Sequence, residues 1–238
     1  MHTAKTGGST LREIIGAGAA ASGIPISQQF IPCYNGLDCS TFGLPHRNYS
    51  IIAGHFTWRE LQRVGLHDFS CVVSVRQPVD RVVSCLSYNT PRDVMESVHA
   101  LNRSAFQRLM TKETSCNNGL LSMLMPSMAG MDNIEDSINS NNLNATISQT
   151  IVQAAIDNMK RCIIVDLFDD MHDEGLPDSS TILARYFPWM QPPQELPKLR
   201  QRRLAYYEFQ VSHLQQIARL NHLDTITFKA ALKQMRQQ

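Results

Sequence analysis

The sequence predicts an α/β fold, a doubly wound parallel sheet flanked by helices. Three observations carry this. Near the amino terminus the pair Gly7-Gly8 runs straight into a helix-periodic stretch. Three short runs at 49–53, 69–75 and 162–168 have the length and β-branched, apolar composition of buried strands. Each is followed by a segment with helical apolar spacing, and strands alternating with helices imply parallel pairing with right-handed crossovers. A glycine loop of this type normally leaves a buried first strand. Met1 lies almost on top of the loop, so the expectation is a sheet without its first strand, in a chain truncated at its amino terminus or started late.

Leu11, Ile14, Ile15 and Ala19 fall on one face of a helix over 9–21. Gly23 is placed to stop it, while Gly16 and Gly18 weaken it relative to alanine. A polar, turn-rich stretch follows, with Pro25, Pro32, Gly36 and Gly43. The strand at 49–53 leads directly into Gly54-His55-Phe56. Thr57 and Glu60 have the spacing of a capping box, which starts a short helix ending near Val64. His55 therefore falls at the carboxyl end of a strand, where open α/β sheets bind ligands.

After the strand at 69–75, Pro78 suits the first turn of a helix whose apolar face is Val79, Val82, Val83 and Leu86. Arg76 is left at the strand's exit, and Ser84 lies about two turns into the helix. The middle, 90–144, reads as mostly helical, with Met123, Met125, Met128 and Met131 as adaptable core packing and 132–144 as an exposed loop. A helix over 147–159 precedes the strand at 162–168, and another covers 179–187. A proline-rich linker over 188–202 leads to two helices, 203–220 and 225–235, that close a single domain spanning 1–238.

Composition narrows the classes. With 43% hydrophobic and 18% charged residues, the 238-residue chain can build a packed core. A net charge of +1 argues against nucleic acid as a bulk electrostatic partner, though it leaves room for a local basic groove. No run reaches the roughly 18 apolar residues of a membrane span, and no signal-peptide pattern is present. None of the six cysteines forms C-x-x-C, so zinc and thioredoxin readings lack their spacing. Cys71 and Cys162 read as core residues in strand-like runs; Cys33 and Cys39 bracket a glycine-containing loop and could pair in an oxidising compartment. Asn-x-Ser/Thr triplets at Asn48, Asn102 and Asn144 lean toward a secretory location.

The amino-terminal loop carries the chemistry. Glycines let a backbone approach a ligand closely, and a helix start aims N–H groups and the positive dipole end at one point, which suits a phosphate. Lys5 adds a cation; Ser9 and Thr10 add hydroxyl donors. The lysine precedes the glycines, so this is not the G-x-x-x-x-G-K-[ST] loop of nucleoside triphosphatases. Instead His2-Thr3-Ala4-Lys5-Thr6-Gly7-Gly8-Ser9-Thr10 resembles the 5′-phosphosulfate loop of sulfotransferases. Its His-x-x-Lys-Thr-Gly-Gly form looks like the Golgi carbohydrate enzymes of the heparan and chondroitin/dermatan group. Val75-Arg76-Gln77-Pro78-Val79-Asp80-Arg81-Val82-Val83-Ser84 is similar to that family's 3′-phosphate motif, R-D-P-V-E-R-F-L-S, with Gln77 replacing the acidic residue. The stretch from Lys160 to Phe168 resembles its third-strand segment. Asn221-His222-Leu223-Asp224 resembles its carboxy-terminal N-x-x-D signature, with Thr227 near the usual tyrosine.

The resemblance implies a P-loop-like fold and 3′-phosphoadenosine 5′-phosphosulfate (PAPS) as co-substrate. It implies a glycan hydroxyl as acceptor, in an acidic, glycosaminoglycan-like polysaccharide, and 3′-phosphoadenosine 5′-phosphate (PAP) as product. It also implies no metal, and a Golgi lumen location with a membrane anchor outside this chain. Lys5, Thr6, Gly7, Gly8, Ser9 and Thr10 would hold the 5′-phosphate, with Lys5 at the leaving oxygen. Arg76 and Ser84 would grip the 3′-phosphate. His55 is the candidate general base by residue type and position, with Glu60 second because the capping box already explains it. Basic clusters at His46, Arg47, Arg59 and Arg63, and at Lys198, Arg200, Arg202 and Arg203, are candidate contacts for an acidic acceptor. Three rivals stay open: a tyrosyl-protein sulfotransferase, a P-loop kinase-like enzyme, and a catalytically impaired homologue that only binds PAP or glycan.

Overall fold

The computed structural model describes residues 6–32, 49–113, 116–126, 144–167, 176–190 and 209–238. Helix α1 (Gly8–Ala21) opens the described chain and ends as expected, with Gly23 at φ +70° just beyond its last turn. Strand β1 (Gln29–Phe30) pairs in parallel with β2 (Ile51–Ile52). The short α2 (Trp58–Arg63) follows, and its capping box is complete: Glu60 N–H donates to Thr57 Oγ1 at 3.2 Å and Thr57 N–H to Glu60 Oε2 at 2.8 Å. Strand β3 (Cys71–Val75) then leads into α3 (Pro78–Asn89), with Pro78 in the first turn.

Helices α4 (Arg92–Glu96), α5 (Arg103–Lys112), α6 (Gly119–Leu124) and α7 (Ala145–Met159) separate β3 from β4 (Cys162–Asp166). The two strands pair in parallel, from Cys71 opposite Cys162 to Val75 opposite Asp166. All of β3 and all of β4 but Ile163 are buried, which is why their sequences run apolar rather than alternate. Helices α8 (Ser179–Tyr186), α9 (Val211–Leu220) and α10 (His222–Met235) complete the described elements.

The molecule is thus mixed α/β and mostly helical. Among the described residues the strands form two separate two-stranded parallel sheets, not one continuous doubly wound sheet. What joins the pairs is side-chain packing. Leu11, Ile14 and Ile15 of α1, Ile51, Trp58 and the valines of β3 belong to one core cluster with β4, α6, α7 and α10. A second cluster packs α3 through Val82, Val83 and Leu86 against Phe106, Met110 and Ile217. No helix among the described residues is long and apolar enough to cross a membrane.

Three sequence expectations need correction. Cys71 and Cys162 are buried, but they are a disulfide rather than two core thiols, because in-register pairing sets them opposite each other with Cα atoms 4.6 Å apart. Cys85 and Cys116 form a second disulfide that ties α3 to the turn before α6. Strand β1 sits in the stretch read as turns; two residues are too few to show an alternation. Within the expected linker, Pro188–Met190 is a helical turn, and Met190 is buried against α1. An added Cβ on Gly18 would lie 2.5 Å from Met190 Cα, so the glycine that weakens α1 locally is what admits this turn. Residues 191–208 lie outside the described residues.

Candidate phosphate-binding site

The loop-to-helix junction has the predicted form. Gly7 adopts φ +82°, the left-handed region that glycine enters without steric cost, and α1 starts at the next residue. The first helical bond runs from Leu11 N–H to Gly7 C=O at 3.0 Å. As at any helix start, the first-turn N–H groups point outward along the axis and carry the positive end of the dipole. Thr6 and Thr10 are buried, and Ser9 is half-buried. Lys5 and His2 lie outside the described residues.

One long-range bond docks this junction. The Ser74 hydroxyl, on the fully buried β3, donates to the Thr6 carbonyl. Arg76 follows two residues later, roughly 7 Å of extended chain, and is itself buried. Thr6 and Arg76 are therefore both placed toward the carboxyl end of β3. Ser84 lies on the helix that leaves this end and is also buried. Gln77, the departure from the acidic residue of the resembled motif, caps α3: its Oε1 accepts from Asp80 N–H at 2.8 Å. An amide oxygen supplies the acceptor that a carboxylate would.

Sequence reasoning missed Arg12. It is buried in α1 and its guanidinium donates to Ser9 Oγ at 3.4 Å. A hydroxyl oxygen that accepts from a guanidinium keeps its own proton to donate outward. The i, i+3 spacing on one helix was the available signal.

The second arginine of the Arg76–Ser84 stretch has a different task. Arg81 is fully buried and pairs with Asp224 at 3.1 Å, while also donating to the Cys116 carbonyl at 2.8 Å. Asp224 further accepts from Leu120 N–H at 3.2 Å and Leu121 N–H at 2.8 Å, at the start of α6. Asn221 Oδ1 accepts from Asn118 N–H at 2.7 Å, and Asn118 Nδ2 donates to the Leu220 carbonyl at 3.0 Å. The N-x-x-D signature is thus the far half of a buried polar cluster that locks α3 to the α9–α10 junction. Burial pushes the Arg81 pKa below the ordinary arginine range; Asp224 opposes that shift, and the nearby positive charge of Arg76 adds to it.

His55 stands immediately beyond β2, exposed, between Gly54 and the buried Phe56. Its strand belongs to the other sheet. Among the described residues no strand pairing links β2 to β3, and the connection is through the common core: Ala53 and Trp58 pack in the same cluster as Leu11 and Val73. Glu60 is spent on the capping box. His213, by contrast with His55, is buried, stacked on Phe106 at 4.2 Å, with Nε2 2.9 Å from the Leu101 carbonyl. Of the basic clusters, Arg59 is half-buried and Arg63 exposed on α2. His46, Arg47, Lys198, Arg200, Arg202 and Arg203 lie outside the described residues. No group of three or more His, Cys, Asp or Glu side chains among the described residues could hold a metal ion.

The chain matches no family model, no curated protein and no solved structure.

Proposed function

We propose that this protein is a sulfotransferase that moves a sulfuryl group from PAPS to a hydroxyl of an acidic, glycosaminoglycan-like glycan. The observation that supports the reading most is the bond from the Ser74 hydroxyl to the Thr6 carbonyl. It docks a glycine-led helix start at the strand end that exits into a buried arginine. A bisphosphorylated nucleotide needs two anion sites held at a set separation, and this arrangement supplies two groups suited to them. The finer fold reading, a P-loop-like doubly wound sheet, belongs to the same proposal.

Sulfuryl transfer resembles phosphoryl transfer in its demands: a highly charged group passes in line between two oxygens. Catalysis is then positioning plus stabilisation of charge on the leaving and equatorial oxygens. In this reading Lys5 neutralises the leaving phosphate oxygen. The N–H groups of Thr6 through Thr10, with the Ser9 and Thr10 hydroxyls, hold the 5′-phosphate. Arg76 and Ser84 take the 3′-phosphate, and His55 removes the acceptor's proton. The glycan would approach over the face that carries His55 and Arg59.

Titration calorimetry with PAP and with ATP tests the reading. PAP binding that Lys5→Ala or Arg76→Ala weakens by at least tenfold, about 1.4 kcal/mol, is the expected outcome. A preference for ATP would instead favour a kinase, and silence toward both nucleotides would favour an inactive homologue. His55→Ala should still bind PAP but lose turnover by roughly 100-fold or more; sustained turnover would remove His55 from the mechanism.

A further inference from the structure

Two of the three Asn-x-Ser/Thr triplets fall in described structure, and the proposed reaction uses neither. Asn102-Arg103-Ser104 opens α5, and Asn144-Ala145-Thr146 opens α7. Both asparagines are N-caps with extended backbone, at φ −71°, ψ 167° and φ −70°, ψ 161°. Each Oδ1 accepts from the third helical N–H: from Ala105 at 2.9 Å and from Ile147 at 2.9 Å. The acceptor role settles which amide atom is oxygen, so Nδ2 is the atom left on the side away from the helix. All six residues of the two triplets are exposed.

A second observation bears on where such a chain folds. Cys71–Cys162 and Cys85–Cys116 are both disulfides, which form and persist in oxidising compartments. That is also the compartment in which asparagine acceptors in this triplet are glycosylated.

We infer that Asn102 and Asn144 are N-glycosylated, each bearing an oligosaccharide on Nδ2 while Oδ1 keeps its helix cap. The donor is a lipid-diphosphate-linked oligosaccharide. Nδ2 bonds to the anomeric carbon as that carbon's bond to the diphosphate oxygen breaks. The lipid diphosphate leaves with the electron pair, and one amide proton passes to a base of the transferring enzyme. The product amide retains one N–H and its carbonyl, so the cap survives the modification. Ser104 and Thr146 supply the required hydroxyl two residues on. This inference is independent of the sulfotransferase reading, which gives neither asparagine a part in the reaction.

The protein isolated from its own cells would be treated with peptide N-glycanase in heavy-oxygen water, digested, and sequenced by mass spectrometry. Heavy-oxygen aspartate at both 102 and 144 is the expected result. Plain asparagine at both positions, in chains that carry the Cys71–Cys162 bridge, overturns the inference; plain asparagine at one overturns that site. Ser104→Ala and Thr146→Ala give a second readout, because they abolish the triplets and leave both caps in place. Each should lose one glycan's gel shift with helix content by circular dichroism unchanged. Migration identical to the parent chain would again overturn the assignment.

Discussion

Ser74 is a small residue with a large positional effect. Its hydroxyl is the described side-chain tie between β3 and the Thr6 carbonyl, across 68 positions of sequence. Ser74→Ala removes a buried bond worth about 1 kcal/mol net, and a kcal/mol or two is a factor of roughly 5–30 in an equilibrium. PAP affinity should fall by an amount in that range, read by calorimetry; unchanged affinity would detach the loop's position from ligand binding. Gly18 offers a test in which two residue-scale effects oppose each other. Helix propensity alone says Gly18→Ala should stabilise α1 by about 1 kcal/mol. The added methyl would meet Met190 backbone at 2.5 Å, however, and backbone cannot rotate away. We expect net destabilisation of about 1–3 kcal/mol, measured by urea unfolding; a stabilised variant would show that the turn at Pro188–Met190 moves freely.

At the scale of elements, α3 is held by its first turns and its middle. Pro78 and the Gln77 cap start it, and Arg81 anchors it to Asp224 at the head of α10. Asp224→Asn would leave a buried guanidinium without its charge partner, at a cost of about 3–5 kcal/mol. Replacing Arg81 and Asp224 together with apolar residues of similar size should cost far less, since burying an ion pair carries its own desolvation penalty. Chemical denaturation of each single apolar variant and of the double variant completes the cycle; a double-variant loss equal to the sum of the two single losses would deny the coupling. Gly119 belongs to the same assembly, because an added Cβ there would sit 2.7 Å from Arg81 Nη1. The helix starts, the Thr57–Glu60 box and Gly23 were legible because each is decided within about four residues. The Asn221–Asp224 signature was legible only as a pattern, and its partner 143 positions away was not.

Across the whole molecule, three hydrophobic clusters, the third formed by Phe30, Phe56 and Leu61, and two disulfides hold the described elements together. The Cys71–Cys162 bridge spans 91 residues and joins strands whose pairing is the centre of the main core. Closing loops of this length removes chain entropy from the unfolded state, with a typical effect of 2–4 kcal/mol. Cys71→Ala combined with Cys162→Ala should lower unfolding free energy by about that much. PAP binding should persist, since neither sulfur lies at the loop; lost binding with intact stability would place the bridge in the site.

The sequence by itself determined much of the local grammar: where several helices begin and stop, that 49–53, 69–75 and 162–168 hold β2, β3 and β4 though not that β1 exists, and that a glycine turn feeds α1 with a cation and hydroxyls beside it. It also determined the candidate ligands, because residue type and short spacing are local properties. Tertiary structure alone decided which strands pair, that two cysteines read as core thiols are bridged, that Ser74 docks the loop, and that Arg81 pairs with Asp224 inside the fold. Those outcomes depend on contacts between residues tens of positions apart. Chain packing chooses such contacts, and no rule that acts over a turn of helix or a few residues of strand can assign them.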